Sequence, residues 1–433
     1  MRSFTPPALR VLVLIGLLAL ALQGFGPFRL NVDVVNYVGF AEIIAAGNAL
    51  DVVTGPSLLP TGYSFVLYLL AEAGIATPFV FVLLNVLSVA GALGLFGLVA
   101  GARLGQHGIA VCGIACIAVL SFVTVKHSLL AISDPLYMLL SFAVLALAER
   151  HRDRRHGRRF PVILAAILCL GAAVWVRTIG IALIPALAVA WLAAGGSVDL
   201  GRLVRSRMFL IGALPVLVAA ILMLWLLRDM TSYDDVIAGL IQHRIGDSSV
   251  AGFLLSHAGW KLTELSEILL NLPASRVPAS VRPLFLVGGG MLALLVARGL
   301  WLRRSRFGPA EVYLLAYAGM VLLWNHRDAR YWFPVLPLLL LYLWIAIEGV
   351  TANRLFRIAA LAWCGTFVIV GLAAHIHSAS QSLAGRDFGN VYGDGTLRQL
   401  YRAAYAGASE DGLPPEHLRM LGMLRRYDPL ARD

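Results

Sequence analysis

Apolar residues run along this chain in blocks too long for ordinary strands, and polar residues gather between the blocks. Eleven blocks can be drawn, near 8–28, 77–100, 108–125, 129–148, 160–176, 178–195, 208–227, 283–302, 309–325, 331–350 and 355–373. About 20 apolar residues in helical form cross the ~30 Å hydrocarbon layer of a bilayer. The pattern therefore predicts an all-α polytopic membrane protein with about 11 transmembrane helices. Arg2 and Arg10 flank the start of the first block, and Ala19-Leu20-Ala21 within it is similar to a signal-peptide cleavage site. With ten more blocks behind it, a retained first span is expected.

Basic residues set the orientation. The segment 149–159 reads ERHRDRRHGRR, and further clusters fall at Arg202, Arg205, Arg207 and at Arg298, Arg303, Arg304, Arg306. Placing these inside puts the N-terminus inside and the C-terminus outside. Most acidic residues then face outward. Three outer segments exceed simple connectors: 29–76, 228–282 and the tail 374–433. The expected organisation is a membrane domain over 1–373 and an extracytoplasmic tail over 374–433. A chain that elaborates its outer face and trims its inner one works outside.

Within the first outer segment, residues 31–48 read as an amphipathic helix along the membrane surface. At 100° per residue Asp33, Tyr37, Phe40 and Ile44 share one stripe, and Glu42 falls opposite. Asp33 is unusual on that stripe. It reads either as an acid favoured by the helix dipole or as a carboxylate aimed into a cavity at the interface. Residues 57–74 are too short a run for a comfortable span and read as an interfacial or re-entrant helix behind Pro60-Thr61-Gly62. The tail shows a helical pattern over Leu397–Ala406 and a break at Pro414-Pro415.

Composition agrees with a bilayer as solvent: 59% of the 433 residues are hydrophobic and 14% charged, against roughly 25% charged in ordinary globular domains. The net charge of +11 sits in short clusters between spans, which argues against nucleic acid as a partner. The four cysteines, Cys112, Cys116, Cys169 and Cys364, lie in apolar blocks and read as packing residues without a disulfide.

Isolated polar groups mark the outer ends of later spans. Lys126 and His127 follow the third, and Ser133-Asp134-Pro135 opens the fourth. Trp175-Val176-Arg177 divides the fifth from the sixth. His326, Arg327, Asp328, Arg330 and Tyr331 precede the tenth. Each alone reads as an interface anchor or a snorkelling side chain. Together with Tyr37 they collect cations, carboxylates and aromatic hydroxyls at one depth, which suits an anionic headgroup on a lipid tail. There is no Walker loop, Rossmann glycine pattern, HExxH or nucleophile elbow. Gly288-Gly289-Gly290 lies inside the eighth span, where small residues allow close helix packing.

The ordered set Asp33-Val34-Val35-Asn36-Tyr37, Ala41 to Gly47, Pro60-Thr61-Gly62-Tyr63, Ser133-Asp134-Pro135, Arg177-Thr178-Ile179-Gly180 and Arg330-Tyr331-Trp332-Phe333-Pro334-Val335-Leu336-Pro337 resembles the GT-C superfamily of polytopic glycosyltransferases. Its nearest likeness is the branch of protein O-mannosyltransferases and lipid A aminoarabinose transferases. The resemblance implies a GT-C-like fold in the cytoplasmic (inner) membrane and an extracytoplasmic site. It also implies a polyprenyl-phosphate sugar donor, a glycan, lipid or protein acceptor, and Asp33 as the catalytic acid of the first outer loop. It calls for no cofactor, assigns no metal ligand and admits a divalent cation. Two departures stand out: Val34 follows Asp33 where many relatives have a second acid, and the tail is shorter than the soluble C-terminal domain of several relatives.

The chemistry is consistent on its own terms. A phosphodiester leaves as a stable anion, whereas an acceptor hydroxyl needs a carboxylate to take its proton and cations must hold the departing phosphate. Asp33 is the expected base, giving inversion at the sugar. Arg330 and Arg177 are the expected phosphate ligands, with Lys126 and Arg327 behind them. The rival reading is a transporter or flippase for a lipid-linked or small anionic solute. That class usually shows repeated halves and ionisable groups near the midplane, whereas these crowd the outer ends and no repeat is evident.

Overall fold

The computed structural model describes residues 7–48, 60–104, 108–152, 159–192, 250–324, 326–348, 354–391 and 395–431, and every regular element among them is helical. From the N-terminus, α1 (Pro7–Leu22) leads through an extended stretch to α2 (Val32–Ala45) and α3 (Gly62–Glu72). Then come α4 (Pro78–Leu104), α5 (Gly108–Leu120), α6 (Phe122–Ser128), α7 (Asp134–Arg152), α8 (Arg159–Val176) and α9 (Leu183–Leu192). The seventh span expected from the sequence, 208–227, lies outside the described residues. The chain continues with α10 (Val250–Leu270), α11 (Pro283–Leu302), α12 (Pro309–Leu323), α13 (Leu336–Glu348) and α14 (Arg354–Ser382). The tail adds α15 (Phe388–Val391), α16 (Gly395–Tyr405) and α17 (Pro415–Tyr427).

Among the described residues, five helical stretches are long and apolar enough to cross a membrane: Pro7–Phe25, Pro78–Leu104, Ala279–Leu302, Ala329–Glu348 and Arg354–Ser382. The bent pair α5–α6 makes a sixth, and Phe160–Val176, Thr178–Trp191 and Pro309–Leu323 are shorter apolar helices. This is a multi-pass membrane protein, and its polarity is inverted at the periphery as lipid requires. On α14, Leu355, Ile358, Leu361, Ile369, Leu372 and Ile376 are exposed. Its buried residues are Phe367, Gly371, His375, Ser378 and Ser382. Those five recur every three or four positions, so a seam of mostly small and polar groups faces the protein while hydrocarbon meets the rest.

The third span is broken where the sequence reads as continuous. A 58° bend separates α5 from α6, and the backbone groups freed there are satisfied from another element. The Asn271 side chain accepts from Phe122 N–H at 2.6 Å and donates to Leu120 O at 3.1 Å and Phe367 O at 3.1 Å. A break inside a membrane persists only when its N–H and C=O groups find such partners. The bend swings Lys126 and His127 sideways instead of letting them simply follow the span.

Helices α10 and α11 pack backbone to backbone. A Cβ on Gly289 would stand 1.8 Å from Leu262 O, and one on Gly288 would stand 2.5 Å from Ser266 Oγ. The triple glycine of the eighth span is therefore a packing seam. It holds α10, which lies in the 228–282 segment, against α11.

Ion pairs bracket α7. Asp134 at its start pairs with Arg177, and Glu149 near its end meets Arg103 at 2.7 Å. Asp134 and Glu149 are 15 residues apart on α7, which at about 1.5 Å each separates the two pairs by roughly 22 Å, most of the hydrocarbon thickness. At the Glu149 end, Arg103 also grips Glu311 through two bonds of 3.0 and 2.8 Å, and Arg303 adds a third at 3.2 Å. The Arg103 and Glu311 side chains are almost wholly buried, and Glu149 is half-buried. This knot closes the end that the basic loops assign to the inside.

Candidate active site

Helix α2 begins where the extended stretch before it ends. Asn31 is its N-cap, with extended backbone and a side chain accepting from Val34 N–H at 2.8 Å. That cap fixes the first turn, and Asp33 lies in it. The two faces expected of this helix are both seen. Asp33 forms an ion pair with Arg330, and the buried Tyr37 hydroxyl meets Ser133 Oγ at 2.7 Å. Glu42, on the far side, pairs with Arg426 of the tail at 2.6 Å.

Three more elements deliver partners. The loop before α7 supplies Ser133 and Asp134. The chain leaves helix at Arg177, whose backbone is extended (φ −151°, ψ 128°) before a 3-10 turn over Thr178–Ala182. This is the break that Trp175-Val176-Arg177 announced, and it lets Arg177 pair with Asp134. Arg330 sits in a 3-10 helix over Ala329–Val335 capped by Asp328, whose carboxylate accepts the Arg330 N–H at 2.9 Å. Asp134 lies within electrostatic reach of Arg177, Arg330, Asp33 and Asp328, and His127 within reach of Lys126, Arg330 and Arg177. Residues from five parts of the sequence thus converge.

The floor is aromatic and wired by hydroxyls. Tyr63 stacks edge-on against Tyr37 at 5.1 Å. Tyr137 and Tyr313 hydroxyls meet at 3.1 Å, and Tyr317 donates to Tyr331 O at 2.6 Å. Burial pushes the Tyr37 and Tyr63 hydroxyls above their ordinary range, so both remain protonated. Several buried polar atoms here have no partner among the described residues: Tyr63 Oη, Ser64 Oγ, His127 Nδ1 and Arg330 Nε. Buried polar atoms are normally satisfied. Of these, Tyr63 Oη, His127 Nδ1 and Arg330 Nε belong to side chains in contact with or within electrostatic reach of the charged centre, where they are open to polar atoms of a ligand.

The expected site residues divide into three groups. Asp33, Tyr37, Asp134, Arg177 and Arg330 form the centre. His127 is buried beside it, while Lys126 and Arg327 are exposed above. Tyr331 carries the Arg330 guanidinium 5.3 Å above its ring. His326 turns away: it is exposed, its ring lies 5.5 Å from Trp324, and its carbonyl accepts Lys261 Nζ at 2.9 Å. Arg177 is engaged by Asp134 and Arg330 by Asp33, and the Arg330 Nε–H has no partner among the described residues. Each carboxylate of the centre is taken by an arginine. Among the described residues no three His, Cys, Asp or Glu side chains gather as metal ligands.

Sequence reasoning missed a brace behind Arg330. Glu264 and Lys261 on α10 are buried and paired at 3.0 Å. Glu264 also accepts from Asp328 N–H at 3.2 Å and Trp332 Nε1 at 3.1 Å. Burial drives the Glu264 carboxyl up to about 7 despite the neighbouring Lys261 ammonium. The available signal was the i,i+3 spacing of a lysine and a glutamate in a largely apolar helix.

The sequence matches no protein-family model and no curated protein. Among solved structures it is similar to two crystal structures of ArnT from Cupriavidus metallidurans, one in the apo state and one bound to undecaprenyl phosphate. Identity is 18% in both, the TM-score is 0.48, and the match covers 92% of this chain and 67% and 68% of those chains respectively.

Proposed function

We propose that this protein is a membrane glycosyltransferase that moves a sugar from a polyprenyl-phosphate donor to an acceptor hydroxyl on the extracytoplasmic face. One observation carries the reading. The half-buried Arg330 spends one guanidinium nitrogen on Asp33 and keeps its Nε–H unspent, so one cation can bridge a carboxylate and a phosphate.

The electrostatics of transfer suit that bridge. The acceptor oxygen forms a bond to the anomeric carbon as the bond from that carbon to the phosphate oxygen breaks, inverting the centre. The acceptor proton passes to Asp33, whose charge falls from −1 to 0. The phosphodiester becomes a monoester, whose charge grows from −1 toward −2. Negative charge leaves one side of Arg330 and appears on the other, while the sum around the guanidinium stays nearly constant. A fixed cation between them stabilises the developing charge without reorganising. Tyr37 and Tyr63 remain protonated beside it as hydroxyl donors for the sugar.

The test uses purified protein in lipid nanodiscs with a radiolabelled polyprenyl-phosphate sugar. The wild type binds the donor and releases polyprenyl phosphate when acceptor is present. Arg330→Ala loses donor affinity, and Arg330→Lys does not restore it fully, because an ammonium lacks the planar fork. Unchanged donor affinity in Arg330→Ala would put the phosphate elsewhere and end this reading.

A further inference from the structure

The tail closes over the segment that introduces α2. Residues Gly26 to Leu30 form no regular helix, so their backbone N–H groups depend on other partners. Phe28 N–H donates to Asp428 Oδ2 at 2.6 Å and lies 3.2 Å from the Tyr405 hydroxyl. Leu30 N–H donates to the Tyr401 hydroxyl at 2.8 Å, and Tyr405 donates to Asp428 at 2.7 Å. Asp428, Tyr401 and Tyr405 are all buried. Between these two residues, Arg29 turns the other way and donates to Ser378 and Ser382 of α14 at 2.7–2.9 Å. The segment is thus held alternately by the tail and by the bundle, and α2 with Asp33 follows directly.

The tail also reaches the far side of α2. Gly39 has no side chain there, and a Cβ would stand 2.4 Å from the Arg419 guanidinium of α17. The transfer step uses none of these tail groups. A buried carboxylate accepting a backbone N–H is a strong, directional contact, and this one is spent on the residues just before the proposed base.

We infer that Asp428, with Tyr401 and Tyr405, is a positioning residue that sets the placement of Asp33 against Arg330. The inference rests on the function proposed above. Displacing a reacting group by about 1 Å can cost about 100-fold in rate, whereas the donor phosphate is held by Arg330 from another element. The tail therefore governs turnover more than donor binding.

The experiment compares full-length Asp428→Asn and Tyr401→Phe with wild type. In Asp428→Asn an NH2 must face either the Phe28 N–H or the Leu430 N–H, which Asp428 Oδ1 accepts at 2.9 Å. Three quantities are read: amide exchange of residues 26–37, kcat with KM for the donor, and thermal stability. Expected are faster exchange over 26–37 and a kcat lowered about 10- to 100-fold, with donor KM within about threefold. Tyr401→Phe should show the same pattern more weakly. Faster exchange with unchanged kcat would overturn the inference, as would unchanged exchange. So would kcat losses that only track lost thermal stability in both variants. If the wild type transfers no sugar, the functional reading fails by itself. The exchange measurement then still decides whether Asp428 holds the start of α2.

Discussion

Replacing Asp33 by Asn changes the charge of the centre with little change of shape. The Asp33 and Arg330 side chains are 24% and 12% exposed, between a surface pair, whose loss costs about 0–1 kcal/mol, and a buried pair, whose breakage costs about 3–5 kcal/mol. Asn keeps an oxygen for Arg330 and the cap at Asn31 is untouched, so about 1 kcal/mol of stability is at stake. Losing a general base costs about 10²–10⁴ in rate, or roughly 3–5 kcal/mol on the barrier. The catalytic effect therefore exceeds the structural one. Donor binding should be unchanged or tighter, since the carboxylate no longer competes with the phosphate for Arg330. The assay is transfer from a polyprenyl-phosphate sugar in nanodiscs, alongside donor titration and thermal melting. Glu42→Gln, altering an exposed pair on the opposite face of α2, is the control and should stay within about fivefold. Equal losses of donor binding and rate in Asp33→Asn would mean that Asp33 only holds Arg330 in place, and the base would have to be sought elsewhere.

Glu264, with its carboxyl held near 7, takes up a proton in the folded protein at a pH where the unfolded chain, with Glu near 4.3, does not. Its contribution to stability is thus present in acid and lost as pH rises through about 7. Melting temperatures across pH 5–8 should fall for wild type and fall less for Glu264→Gln, and an unchanged slope in the variant would contradict the assignment. Ser380 is exposed near the end of α14, so a cysteine there should react with an impermeant thiol reagent in intact cells. Reaction only after permeabilisation would reverse the orientation and place the centre on the cytoplasmic side.

The sequence made some of this legible for identifiable reasons. Helical periodicity put Asp33 and Tyr37 on one face of α2 and Glu42 on the other. A charged residue between two apolar runs marked the break at Arg177, and Pro414-Pro415 marked the start of α17. The helical pattern at Leu397–Ala406 matches α16. What stayed hidden depends on contacts between distant residues. Asp33 and Arg330 are 297 positions apart, and nothing local in either segment says that they pair. The bend at Ser121 interrupts an apolar run without proline, because its cause, Asn271, lies in another element. The grip of Asp428 on Phe28 N–H spans 400 positions, so the tail reads from sequence only as one helical pattern and a proline break.

The Arg103 knot carries a consequence for how the protein is made. Arg103 leaves the ribosome first, Glu149 follows 46 residues later and Glu311 follows 208 residues later. At roughly 5–20 residues per second, the first carboxylate arrives within about 2–9 s and the second only after about 10–40 s. Arg103 and Glu149 can therefore neutralise each other early, when α7 has inserted beside α4. Glu311 then competes for the same guanidinium when α12 enters. If α12 inserted in the opposite sense, Glu311 would be left about a membrane thickness away, and Arg303 and Gly308 N–H, which bonds Glu311 at 2.9 Å, would lose their acceptor. The knot is therefore complete only in the topology in which the second half of the chain has threaded the bilayer in register with the first.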